Sequence, residues 1–448
     1  MRIIRDLKTA KSTLLSRSPY ELYQASPAVQ QRIKDIFAEE LTPEQAVERI
    51  VADVRTRGDA ALFDYGRRID QVELSHLEVG QGEMAEAYSQ VDGELLSALR
   101  LAADRLVSFH LAHKRRGSLD FAEGALGNLI SPIERVGIYV PGGTACYPST
   151  VLMTAIPARV AGVEEIILAT PARGGGTIPP ATLVAADIAQ VNRVFKVGGA
   201  QAIAALAFGT QSVPKVDKVC GPGNIFVVLA KKLVYGAVDI DGLQGPSETV
   251  LLADDSADPA LCAADLLAQA EHDALACAIM ITASPQLAER VDGEVTRQLG
   301  ELERQDIAAQ SLESRGGIII VADMAQAIDL VNSYAPEHLC LMVRHAWSYI
   351  GRIRNAGAIF VGQSSPEALG DYIAGPSHVI PTGGTARFGS PLGVDDFLKV
   401  TSLVALNDES LTALGPAAAA MARAEGLTAH ARAIEARLRQ ADAKGELA

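Results

Sequence analysis

Short runs of apolar, mostly β-branched residues recur along this chain, and they constrain its fold more than any other feature. After Arg135 come "RVGIYVP", "EIILATP" and "RVFKVGG", then "TVLLAD", "CAIMITA", "GIIIVAD", "LCLMV" and "AIFVG". Each is about five to seven residues long and nearly all apolar, the pattern of parallel strands covered on both faces. The stretches between them have room for crossover helices. Parallel α/β sheets follow, two of them.

The first hundred or so residues read as helical. In "LTPEQAVERIVADVRTRG", Thr42 is placed to cap, Pro43 sits at the first helical position and Gln45 completes a capping-box spacing. Ala46, Ile50, Val51 and Val54 then form one apolar face, and Gly58 ends the helix. "ARGGGTIPP" reads as an exposed loop. From about Asp408 an alanine-rich tail without strand signal reads as helical, a segment too slight to bury enough surface alone and suited to docking on another subunit.

A length of 448 residues suggests roughly three domains. With 48% apolar and 21% charged residues the chain is an ordinary globular protein. Its formal charge of -14 argues against nucleic acid or an anionic membrane as partner. Five cysteines, none in a Cys-x-x-Cys pair, argue against a disulfide framework or a cysteine-zinc finger. The N-terminus lacks the apolar stretch of a signal peptide, and no apolar run reaches about 18 residues. A cytoplasmic protein without membrane spans is expected.

Three glycine turns follow strands in the first α/β block: "YVPGGTACYPST", "VGGAQAIAAL" and "CGPGNIFV". None is a G-x-G-x-x-G fingerprint, because Phe226 stands where a third glycine would follow Gly221 and Gly223. Plain turns and a nucleotide cradle both remain open, though ligands favour the carboxyl edge of such sheets.

The histidines offer a second chemistry. In "DLLAQAEHD", Gln269 and His272 lie three apart, as two ligands of one metal would on a helix. A solvated helix end is the alternative. Asp371 and His378 share a turn-rich stretch, and Glu425 and His430 flank "GLTA" in the tail. The first pair also fits a turn with a capping Asp, and the second a cap with an exposed histidine. In "SYAPEHLCLM", Glu337 and His338 stand at the mouth of an apolar strand, where both are costly to desolvate. Apart from that last pair, the two carboxylates, three imidazoles and one amide carbonyl of Gln269, His272, Asp371, His378, Glu425 and His430 would suffice for a zinc without cysteine, if they converge.

Over nearly its whole length the sequence resembles histidinol dehydrogenase. The resemblance rests on "RVGIYVPGGTACYPSTVLMTAIPARVAGV", "VGGAQAIAALAFGT", "VDKVCGPGN", "GPSE", "LLAQAEHD", "YAPEHL", "GDY" and "HVIPTGGTARFGSPLGVDDFLK", in that order. It implies an NAD-linked, zinc-dependent, four-electron oxidation of L-histidinol through histidinaldehyde to L-histidine, the last step of histidine biosynthesis. It also implies a homodimer with one zinc per subunit and an active site shared between subunits. By the same resemblance, Gln269, His272 and Asp371 match the zinc ligands of one subunit, and His430 matches the ligand supplied by the other. Glu337 and His338 match the catalytic pair. Ser247, His378 and Glu425 match substrate contacts, joined in contacting substrate by His338 and the four zinc ligands. Tyr139, Gln201 and Asn224 match NAD contacts.

The implied architecture is α/β, with two incomplete Rossmann-like parallel-sheet domains and small helical N- and C-terminal segments. Its parts are an N-terminal segment at 1–31, a first α/β domain at 32–136 and 247–392, an NAD-binding domain at 137–246 and a helical dimerisation tail at 393–448. The sequence departs from the family pattern at Ser377, where Asn is usual, at Gln244, where a small residue is common, and in a longer "RGGG" near Arg173. A related zinc dehydrogenase of another polar alcohol, such as a sulfonated diol, is the alternative. Glu425 argues against it, because a carboxylate suits an imidazole N–H and would repel a sulfonate.

Overall fold

All eight apolar runs become strands in the computed structural model, which describes residues 1–17, 27–114, 126–142 and 146–445. Residues 143–145 of the first glycine turn lie outside the described residues. The strands in chain order are β1 (Arg2–Ile4), β2 (Leu126–Pro132), β3 (Arg135–Tyr139), β4 (Glu165–Thr170), β5 (Arg193–Lys196), β6 (Lys218–Cys220) and β7 (Asp239–Ile240). They continue with β8 (Glu248–Ala253), β9 (Cys277–Thr282), β10 (Gly317–Ile320), β11 (His338–Met342), β12 (Ala358–Val361) and β13 (Leu398–Val404).

The chain divides into two units, one of residues 1–113 and 133–397, the other of 114–132 and 398–448. The first holds two parallel sheets. One runs β5-β4-β3-β6-β7 and the other β1-β10-β9-β8-β11-β12. Both contain the doubly wound order in which the chain starts centrally, moves to one edge, then returns to continue on the other side. The larger sheet is covered on both faces, as its unalternated apolar strands require. Leu251, Met280, Ile318 and Cys340 join one core, while Val250, Ile279, Ile319 and Leu339 join the other.

Local signals hold where they were strong. The helix Pro43–Arg57 has the Thr42–Gln45 capping box, buries Ala46, Ile50, Val51 and Val54, and ends at Gly58 with φ 57°. The N-terminal region also contains the strand β1, which three residues could not announce. Pairing of Arg2–Ile4 with Gly317–Ile319 at the sheet edge creates it.

In the second unit, β2 and β13 form an antiparallel ribbon, and the helices Asp408–Ala424 and Thr428–Gly445 pack on each other. The tail from Asp408 is thus helical as expected, but the longer segment 393–448 is not wholly so, since it includes β13. Its pairing with a strand distant in sequence decides the matter. Leu126, Leu129, Val400, Val404, Leu414 and Met421 are all exposed in this unit.

At the switch point of the five-stranded sheet, between β3 and β6, the backbones come very close. Gly221 has φ +116°, and a Cβ there would lie 2.0 Å from the Tyr139 carbonyl oxygen. Gly221→Ala is therefore expected to destabilise the fold by about 3 kcal/mol or more, since it adds both strain and a backbone clash. Urea denaturation with an unchanged midpoint would refute this.

Candidate active site

The residue before the strand mouth sets the site's geometry. The helix Met324–Tyr334 ends at Ala335, which takes the left-handed conformation with φ 53°. Pro336 follows, and its carbonyl accepts from Gly357 N–H at 2.9 Å. The chain thus enters the sheet as β11, between β8 and β12, with His338 in register with Thr249 and Ala358.

Glu337 and His338 are buried, 5% and 4% exposed, so both must be neutral or well supported. Glu337 Oε2 accepts from Glu248 N–H at 2.8 Å. Burial pushes its carboxyl well above the usual range. That hydrogen bond opposes the shift, while the carboxylates of Glu248, Asp371 and Glu367 add to it. Burial also lowers His338, to about 4, with Asp371 pulling the other way. The ring is therefore a neutral imidazole at physiological pH. Neither of its nitrogens has a hydrogen-bond partner. Two bare, buried acceptor or donor atoms on one ring are costly in a folded core unless something else uses them.

Asp371 faces this ring. Its Oδ1 lies 3.8 Å from His338 Nε2, and its Oδ2 lies 3.9 Å from His272 Nε2. Asp371 is in the short helix Glu367–Tyr372. Gln269 is in the last turn of the helix Pro259–Ala270, and His272 lies just beyond that helix, half exposed. The expected Gln269–His272 helical pair is therefore a helix-end pair. Gln269 is buried, its Nε2 without a partner, and its Oε1 faces the Thr249 hydroxyl at 2.8 Å.

His378 completes the wall. Its Nδ1–H donates to the Asp371 carbonyl at 2.8 Å, which leaves Nε2 to accept from the Thr150 hydroxyl at 3.0 Å. Burial lowers its pKa. The structure thus gathers Gln269, His272, Glu337, His338, Asp371 and His378 in the first unit. Ser247 is partly buried just before β8, where its carbonyl accepts from Cys277 N–H at 2.9 Å. Glu425 and His430 belong to the second unit and are exposed, one capping a helix end and the other in the first turn of the next helix.

All these first-unit groups cluster at the amino edge of the six-stranded sheet. The five-stranded sheet behaves oppositely. Tyr139 ends β3, Gln201 follows the turn after β5, and Asn224 follows β6, all at the carboxyl edge. The Tyr139 hydroxyl accepts from Gly199 N–H at 3.0 Å, and burial raises its pKa to about 12. Gln201 Nε2 donates to Asp70 at 3.3 Å while its Oε1 has no partner. Burial lifts Asp70 to about 6. Asn224 caps the helix Ile225–Val234, accepting from Phe226 and Val227 N–H.

Residues 37–438 match the histidinol dehydrogenase family model. The histidinol dehydrogenase of Dehalococcoides mccartyi is 54% identical over 398 residues, covering 88% of this chain and 91% of that protein. That of Deinococcus radiodurans is 53% identical, covering 92% and 94%. The crystal structure of histidinol dehydrogenase from Elizabethkingia anophelis superposes with a TM-score of 0.89 at 35% identity, covering 98% of both chains. The chain belongs to the histidinol dehydrogenase family. With the family comes its class: NAD-dependent oxidoreductases of histidine biosynthesis.

Around the family's motifs the structure adds residues that the sequence did not suggest. Thr249, Thr150 and Asp70 touch candidate site residues, and Glu367 touches Thr249. Glu367 stands in the first turn of a short helix and Thr249 within β8, and neither position carries a local signal. Two of the departures also find a local role. Gln244 accepts from the buried Lys231 ammonium at 2.9 Å, and Ser377 accepts from Val379 N–H at 3.2 Å. Lys231 also pairs with Asp241 and donates to the Gly221 carbonyl at 3.0 Å.

Proposed function

We propose that this histidinol dehydrogenase family member is a zinc-dependent homodimer that oxidises L-histidinol through histidinaldehyde to L-histidine, reducing two NAD. The observation that carries the reading is His338. It is a buried, neutral imidazole with both nitrogens free, 3.8 Å from Asp371 and next to a buried carboxylate.

The residues fit a zinc ion. Bonds of about 2.0–2.2 Å hold two ligand atoms roughly 3–3.5 Å apart, close to the 3.9 Å between His272 Nε2 and Asp371 Oδ2. Among the described residues of one chain, no three His, Cys, Asp or Glu side chains form a metal-holding group. Gln269 as a third ligand and His430 of the partner subunit as a fourth fit that count. Supporting the dimer are the exposed apolar residues of the second unit. Zinc bound there would hold the amine and imidazole nitrogens of histidinol and orient its carbinol carbon.

Each half-reaction needs a proton acceptor. As hydride leaves the carbinol for NAD, the neutral His338 takes the hydroxyl proton. For the second oxidation the aldehyde must be hydrated, and Glu337 in its ionised form takes a proton from the attacking water. The Glu248 N–H is the contact that favours that form. His338 then accepts the hydrate's proton as the second hydride departs. Glu425 of the partner subunit and His378 would grip the substrate, with Ser247 beside them. Tyr139, Gln201 and Asn224 lie where a dinucleotide meets a doubly wound sheet.

The test is the number of NAD reduced per L-histidinol consumed, measured on zinc-loaded protein and after chelation. Two per histidinol, abolished by chelator and restored by zinc, is the expected result. A zinc-loaded dimer that leaves histidinol untouched would instead favour another polar alcohol as substrate.

A further inference from the structure

The Thr249 hydroxyl lies 2.8 Å from Gln269 Oε1 and 2.5 Å from Glu367 Oε2, and all three side chains are buried. A hydroxyl carries one proton, so it cannot donate to both oxygens at once. Two arrangements satisfy it. In the first, Glu367 carries a proton and donates to Thr249, which donates to Gln269 Oε1. The amide N–H group of Gln269 is then left buried without an acceptor, as Nε2 now stands. In the second, the amide is turned by half a rotation. Gln269 Nε2 donates to Thr249, and Thr249 donates to the Glu367 carboxylate. One amide N–H then has an acceptor where neither had one before, and the amide oxygen becomes the free end.

The two arrangements differ in what Gln269 can hold. A cation needs the oxygen, because an amide nitrogen has no lone pair to offer. We infer that Thr249 and Glu367 are positioning residues that turn the Gln269 amide so that its oxygen faces the ligand site. Thr249 relays the acceptor character of Glu367 to an amide that Glu367 itself does not contact. The register of the sheet fixes this relay: Thr249 sits opposite His338 on the neighbouring strand, and Glu367 opens the helix that carries Asp371. The inference rests on the reading of Gln269 as a zinc ligand.

The experiment measures zinc affinity by competition with a chromophoric chelator, and the visible spectrum of the cobalt-loaded full-length protein. Thr249→Val keeps the shape and loses the hydroxyl. It is expected to weaken zinc about 10- to 100-fold and to shift the cobalt bands. Thr249→Ser keeps the hydroxyl and should restore both to near the native values. Glu367→Met removes the acceptor and should weaken zinc to a similar degree. Combined with Thr249→Val it should add little, because both act through one contact. Gln269→Ala is the reference. If it weakens zinc while Thr249→Val and Glu367→Met bind like the native protein, the relay is refuted and the zinc reading stands. If Gln269→Ala also binds like the native protein, the zinc reading fails and the relay with it.

Discussion

Replacing His338 with asparagine is expected to lower kcat by about 10²- to 10⁴-fold while leaving zinc binding and the dimer intact. Both half-reactions draw on this imidazole, so no accumulation of aldehyde should accompany the loss. Glu337→Gln should behave differently. It spares the first proton transfer and removes the base that activates water, so one NAD per histidinol should be reduced quickly and the second slowly. Stopped-flow absorbance of NADH separates the two. Equal slowing of both phases by Glu337→Gln would refute the division of labour.

The same residue sets a pH signature. His338 titrates near 4 when folded, against 6.5 for an ordinary histidine, because burial disfavours its charged form. The unfolded chain therefore binds more protons at this position between those values. Stability linked to His338 is complete above about 6.5 and is lost as pH falls through 4. Metal-free His338→Asn should lose less stability than the metal-free native protein between pH 7 and 5. Denaturant midpoints at the two pH values measure the difference.

The second large effect concerns the sharing of a site between subunits. Homodimers of His338→Ala and of His430→Ala should both be close to inactive. In a mixed dimer, one site carries both lesions and the other carries neither. Half the dimers formed by random re-association are mixed, so about a quarter of native activity should return. No recovery, with mixed dimers shown by native mass spectrometry, would mean that His430 acts within its own subunit or not at all.

How much of this was legible in the sequence depended on the range of the forces involved. Strands such as Glu248–Ala253 and Cys277–Thr282 announce themselves because burial on both faces demands apolar side chains at most positions. β6 and β7 have three and two residues: β6 forms by pairing with Val136–Ile138, and β7 by pairing with Lys218 and Val219. The β2–β13 ribbon joins segments more than 260 residues apart, and neither half has a strong pattern of its own. The site shows the same division. Glu337 and His338 stood out as polar groups beside an apolar run. Gln269, His272 and Asp371 did not convincingly converge until the family's motifs joined them, because their meeting depends on how two helices end. Thr249 and Glu367 left no local trace.

The placement of the proposed metal and substrate groups at the amino edge of the larger sheet has an electrostatic consequence. The helices that follow parallel strands run back towards that edge and end there, so their free carbonyls and negative dipole ends converge on it. Gln269 is in the last turn of one such helix and Asp371 near the end of another. A dication bound there would gain from that polarity. At the carboxyl edge of the five-stranded sheet the helices begin instead, as at Gly199 and Ile225, and offer N–H groups and positive ends suited to a pyrophosphate. One architectural scheme, used twice in a single chain, would thus suit a cation at one end and an anion at the other.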